Sequence, residues 1–212
     1  MTDDMLDRLA ADLAPVRRDA VERRLAVALF VGGLIALAGV AIGLGLRRDM
    51  AQASVTPMFW LKLGYTLTLA MVGAWATDRL SRPVGDARKR IAWGLLPIAL
   101  IGAVAVWQLM AAPSAMRHGL MMGTSARFCP WLILLTAAPL FLALVWALRG
   151  LAPVRLRAAG AVAGLTAGAT GASLYALHCP EAAAPFIAIW YTLGIAAAAI
   201  VGGVTGPQLL RW

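Results

Sequence analysis

LAVALFVGGLIALAGVAIGLGL, residues 25–46, holds no charged side chain. A helix rises about 1.5 Å per residue, so this run is long enough to cross the roughly 30 Å hydrocarbon core of a bilayer. It is too long for the apolar stretch of a cleavable leader, which runs to about 7–15 residues. Ala51-Gln52-Ala53, just beyond it, nonetheless resembles a cleavage site. Five further apolar runs lie near 57–77, 91–111, 130–148, 157–177 and 183–206. The segments between them are short. The sequence therefore predicts an all-α, polytopic membrane bundle of six transmembrane helices over residues 25–206. It is flanked by a segment 1–24 and a short tail 207–212.

Composition supports the same class. Hydrophobic residues make up 61% of the 212 and charged residues 14%. Soluble domains carry about 45–50% and about 25% respectively. The net charge of +9 does not require a nucleic-acid partner. Membrane proteins collect Lys and Arg in cytoplasmic loops, so the lipid bilayer is the expected partner and no direct nucleic-acid contact is expected. Of the 19 basic residues, only Arg47, Arg48, Lys62, Arg117 and Arg127 fall on one side of the six-span arrangement. The others share the opposite side, which places both termini in the cytoplasm. Trp60, Trp75, Trp93, Trp107, Trp131, Trp146 and Trp212 fall near predicted span ends, as an interfacial belt requires, while Trp190 sits inside the last span.

Residues 1–24 read as a short cytoplasmic amphipathic helix. Leu6, Leu9, Ala10 and Leu13 follow helical spacing, behind Thr2 as a cap and acidic Asp3, Asp4 and Asp7. Pro15 ends the helix or starts a second segment. A helix this short needs an apolar surface to bury its leucines. Lipid would serve; the acidic front argues for a protein with a basic, apolar groove.

The two cysteines stand in Phe128-Cys129-Pro130-Trp131 and Leu177-His178-Cys179-Pro180-Glu181. Each is followed by proline, which suits the first turn of a helix. Both therefore read as exposed thiols at the mouths of the fourth and sixth spans, on the outer face. In the periplasm such thiols can hold a disulfide. Arg127 near Cys129, and His178 with a helix N-terminus at Cys179, should favour the thiolate; Glu181 opposes this. Three readings follow for the pair: a redox switch, a two-thiolate site for a thiophilic metal completed by His178 or His118, or a permanent bridge or unrelated thiols. Lys62 lies near the outer end of its span and is expected to snorkel to the headgroups. Gly160, Gly164 and Gly168 recur every four residues, a close-packing stripe. Pro97, Pro139 and Pro185 are expected to kink their spans. No cofactor motif, catalytic triad or HExxH is present. The residues point to a regulatory protein and not to an enzyme. A small inner-membrane transporter or efflux component for a thiophilic metal is the alternative.

Leu177-His178-Cys179-Pro180-Glu181, continuing through Ala184-Pro185-Phe186 to Trp190-Tyr191 and Gly194, resembles the last segment of the negative-regulator-of-sigma-F (NrsF) family. Leu6–Leu13 with Pro15-Val16, Gly43–Asp49, and Phe59–Leu63 with Tyr65 are similar to the same family. The resemblance implies a six-span anti-sigma factor of the bacterial inner membrane. It implies that the N-terminal segment, around Leu6, Leu9, Leu13 and Val16, sequesters an extracytoplasmic-function (ECF) sigma factor. It also implies that Cys129 and Cys179 sense an oxidant or heavy metal and release the partner. The oligomeric state is not read from the sequence.

Overall fold

A computed structural model describes residues 19–82, 87–151 and 153–211, with nothing said of the side chains of 88–90. The expected sigma-binding residues Leu6, Leu9, Leu13 and Val16, and the helix assigned to them, lie outside the described residues. Among the described residues the chain is all helical. The helices are α1 (Ala20–Leu44), α2 (Met50–Ser54), α3 (Pro57–Leu80), α4 (Arg88–Trp93), α5 (Leu95–Ala111), α6 (Ser114–Met122), α7 (Cys129–Arg149), α8 (Leu156–Tyr175) and α9 (Ala184–Leu209). Two of them widen to π-type turns, α1 over Gly39–Leu44 and α9 over Ile187–Tyr191.

Six spans were expected; four helices combine the length and the composition of one. They are Ala20–Leu44, Ile91–Ala111 (α4 continuing into α5), Cys129–Arg149 and Ala184–Leu209. The remaining two runs are also helices, of 24 and 20 residues, long enough to cross but less apolar. The reason lies in packing. Helix α8 is built from Gly, Ala, Thr and Ser and sits between α3, α7 and α9, so its surface meets protein. Helix α3 carries Lys62, Thr66 and Thr77 on the side it turns to α8. The outer helices instead expose Phe30, Ile35, Ile42, Leu100, Leu135 and Val204. A soluble monomer rarely shows so much contiguous apolar surface.

The Gly160–Gly164–Gly168 stripe is the seam between α8 and α9. A Cβ at Gly160 would overlap the Gly202 carbonyl oxygen, and one at Gly164 the Ala198 carbonyl oxygen. Only the absence of side chains lets the backbones come this close. Threonines and serine then join α3 to α8 inside the bundle: Ser173 Oγ donates to Thr66 Oγ1 at 2.9 Å, and Thr77 and Thr166 hydroxyls meet at 3.1 Å. Trp190, the tryptophan out of place in the belt, donates through Nε1 to the Met121 carbonyl at 2.9 Å and ties α6 to α9. Pro139 lies inside α7, but Pro97 is the third residue of α5 and Pro185 the second of α9, first-turn positions where no intrahelical bond is lost.

Candidate functional site: a buried thiol pair under a polar clasp

Cys129 is the first residue of α7, with Pro130 in the opening turn, as the sequence suggested. Cys179 differs. Its N–H bonds the Tyr175 carbonyl at 3.0 Å, so it closes the last turn of α8, and the next helix does not begin until Ala184. The helix start beside Cys179 is therefore not its own but that of α7, which Cys129 opens. The structure nonetheless gathers the two cysteines into one buried cluster, as free thiols, at one end of the bundle. Both are fully buried, which corrects the expectation of exposed thiols.

Three segments cover them. The turn 45–49 lies against 177–179: the Arg47 N–H bonds the Leu177 carbonyl at 3.1 Å, and His178 Nδ1 meets the Gly45 carbonyl at 2.8 Å. Arg47 is held in turn by a two-pronged ion pair with Asp49, at 2.8 and 2.7 Å. The turn before α7 is fastened by Glu181, whose Oε1 accepts the Thr124 N–H and hydroxyl, each at 2.7 Å. Gly123 makes this possible: its φ is +51°, and a Cβ there would lie 2.5 Å from the Glu181 carboxylate. Finally Gln108 Oε1 accepts the Ala184 N–H at 2.9 Å and anchors the start of α9.

Lys62 is the residue that sequence reasoning misplaced. It does not reach for headgroups. It is 1% exposed and its Nζ donates to the Cys179 carbonyl at 3.0 Å and the Glu181 carbonyl at 2.7 Å. Its ammonium also lies 5.4 Å from the centre of the Tyr191 ring. A buried ammonium is tolerated only where carbonyls, aromatic faces or opposite charge replace water. The sequence carried one usable signal, a lone lysine inside an apolar run. Tyr175 and Tyr191, with rings 6.0 Å apart, complete the chamber. The Tyr191 hydroxyl is buried and approaches the Cys179 sulfur without completing a well-formed hydrogen bond.

The electrostatics of Cys179 follow from these neighbours. The neighbouring Cys129 thiol favours its ionised form most, and the Lys62 ammonium adds attraction. Together they outweigh burial and hold the Cys179 thiol below its ordinary range. Of the modulators named from the sequence, Arg127 is exposed. Glu181, whose carboxylate is held by Thr124, acts on the Cys129 thiol through its charge and on Cys179 through its backbone N–H. The ring of His178 is held by the Gly45 carbonyl.

The fit to a resident metal is poor. Among the described residues no group of three His, Cys, Asp or Glu side chains converges. His118 is exposed on α6. A cation at the sulfurs would also face the Lys62 ammonium.

The whole chain compares closely with known regulators. Residues 9–212 match the family described as NrsF, negative regulator of sigma F. The chain belongs to the NrsF family. An anti-sigma-F factor NrsF of Caulobacter vibrioides is 41% identical over 212 residues, covering 100% of this chain and 99% of the relative. A probable anti-sigma-F factor NrsF of Azospira oryzae is 38% identical over 211 residues, with 100% and 99% covered. No solved structure matches. For an NrsF chain, the buried lysine–dithiol chamber is the chemical centre of the described fold.

Proposed function

We propose that this NrsF chain is an anti-sigma factor of the bacterial inner membrane, crossing it through at least its four long apolar helices, with both termini in the cytoplasm. Residues 1–24 sequester an ECF sigma factor there, the membrane unit 25–206 carries the sensor, and 207–212 form a short tail. Oxidation of Cys129 and Cys179, or their capture by a heavy metal, releases the partner. Redox chemistry is the favoured signal, since two adjacent sulfurs can close on each other without a third ligand.

One observation carries the reading. The thiols share one buried cluster at one end of the bundle, while α1 begins at the other. At that far end Glu22, close behind the proposed sigma-binding segment, pairs with Arg82 at 3.6 Å, and Arg82 pairs with Asp78 of α3 at 3.0 Å. Helix α3 thus runs from Lys62 beside the thiols to the neighbourhood of the N-terminal segment. A shift of α3 on oxidation would be felt there; coupling of this kind needs a two-state element that both sites bias. Deleting residues 1–14 tests the reading. Genes driven by the partner sigma factor should switch on without any oxidant, and unchanged transcription would refute it.

A further inference from the structure

We propose that the two thiols are not equivalent: Cys179 reacts first with a small hydroperoxide, Cys129 resolves the product to a disulfide, and Lys62 is the positioning residue that sets this order. The inference rests on the sensing role proposed above and adds the identity of the first sulfur and of its counter-ion.

The asymmetry is geometric. Both carbonyl acceptors of the Lys62 ammonium belong to the Cys179–Glu181 segment, so the charge is pinned to the Cys179 side of the pair. Cys129 opens α7 on the other side of the pair, and the Cys179 thiol is the one held below its ordinary range, so it ionises first. The thiolate is the nucleophilic form. Every other polar group around the chamber is accounted for. Arg47 reaches the Cys179 carbonyl at 3.5 Å and is paired with Asp49. Glu181 is turned to Thr124 and His178 to Gly45, while the Tyr175 and Tyr191 rings, 6.0 Å apart, close the chamber.

A cavity of about 120 Å³ opens beside the chamber, walled by Arg47, Asp49, Thr56, Phe59, Lys62 and Glu181. A water molecule takes up about 30 Å³ of liquid, so a small peroxide fits there. Neither sulfur lines the cavity, so the peroxide reaches Cys179 only when the hold of Lys62 on the 179 and 181 carbonyls gives.

The steps balance. The Cys179 thiolate attacks the distal oxygen of ROOH; an S–O bond forms, the O–O bond breaks, and the leaving RO⁻ takes a proton from solvent. Cys179 is now a sulfenic acid. The Cys129 sulfur attacks the Cys179 sulfur, the S–O bond breaks, and the hydroxide leaves as water with the Cys129 proton. The two thiols lose two electrons and the hydroperoxide gains them. The disulfide bears no negative charge. Lys62 is then a buried ammonium without its anionic partner, which is costly. Its hold on the 179 and 181 carbonyls is the contact expected to give.

The test uses the full-length chain in lipid nanodiscs, reduced and then treated with hydrogen peroxide and a sulfenic-acid trap. In Cys129→Ser the trap should label Cys179. In Cys179→Ser it should label Cys129 at least about tenfold more slowly at neutral pH, the rate change expected for one unit of thiol acidity. In the Cys129→Ser background, Lys62→Gln should move the pH midpoint of Cys179 labelling upward by at least about one unit, and Lys62→Arg should keep it near the original position. A purely structural role for Lys62 would change melting and leave that midpoint in place. Equal labelling of the two sulfurs, or an unchanged midpoint in Lys62→Gln, would overturn the proposal. Comparing the two serine variants needs no change at Lys62, so the order of reaction is decided even if Lys62→Gln does not fold. A sigma-dependent reporter separates the two claims. Induction by peroxide that survives Cys129→Ser/Cys179→Ser would sink the sensing role and leave the order of oxidation standing.

Discussion

Gly164→Ala should destabilise the bundle, although alanine is the better helix former. The added Cβ would overlap the Ala198 carbonyl oxygen and lie 2.9 Å from its carbon and 3.0 Å from Ala199 Cα. All three are backbone atoms of α9, and none can rotate away. Comfortable carbon contacts lie near 3.5–4.0 Å, so α8 and α9 must part by on the order of 1 Å. That separation weakens the same seam at Gly160 and Gly202 one turn along. Overpacking of this kind costs about 1–3 kcal/mol, against a gain of about 0.5–1 kcal/mol from replacing a helical glycine. The net expectation is a loss of about 1–2 kcal/mol. Gly102→Ala on α5 is the matched control, since nothing lies within 4 Å of its Cβ, and it should gain up to about 1 kcal/mol. Unfolding in mixed micelles, titrated with SDS and followed by tryptophan fluorescence, reads both. Wild-type stability in Gly164→Ala, or a greater loss in Gly102→Ala, would refute the close-contact argument.

The hydrogen bond between Thr77 and Thr166 should show a coupling of about 0.5–1 kcal/mol in a double-mutant cycle with valine, the scale seen for interhelical polar pairs in membranes; additive single effects would mean that the contact does not hold α3 to α8. Hydrogen bonding from Arg47 pulls the Asp49 carboxyl down from 3.8 to about 2. Its folded value lies below its unfolded one, so the clasp over 177–179 is fully present above about pH 4 and is lost as pH falls through about 2. An NMR titration of Asp49 should therefore show a midpoint far below a free carboxylate, and Arg47→Gln should return it to the ordinary range.

Much of the fold was legible because hydrocarbon is a blunt selector. The runs near 57–77 and 91–111 became helices Pro57–Leu80 and Ile91–Ala111, and 130–148 became Cys129–Arg149, within a few residues at each end. Backbone groups in lipid must pair within their own segment, so an apolar run of that length has little choice but a helix. The glycine stripe of α8 was readable for a related reason, since four-residue spacing places small residues on one face. Less of the site was legible. Cys129 and Cys179 were singled out by type, but proline after Cys179 suggested a helix start where the chain in fact closes α8. The local rule lost to the loop 177–183, which is held by contacts with α3, the 45–49 turn and the turn at Thr124.

The chain order of apolar and polar residues alone determined that this protein is a bundle of long helices, with its thiols at helix ends and its small residues in a seam. Those properties depend on neighbours a few positions away and on the solvent around them. Tertiary structure decided that the sulfurs are buried, that they share one cluster, and that Lys62 binds the carbonyl of Cys179. Lys62 and Cys179 are brought together by the crossing of α3 and α8, and no spacing along the chain encodes where a lysine finds its acceptors once two helices have packed.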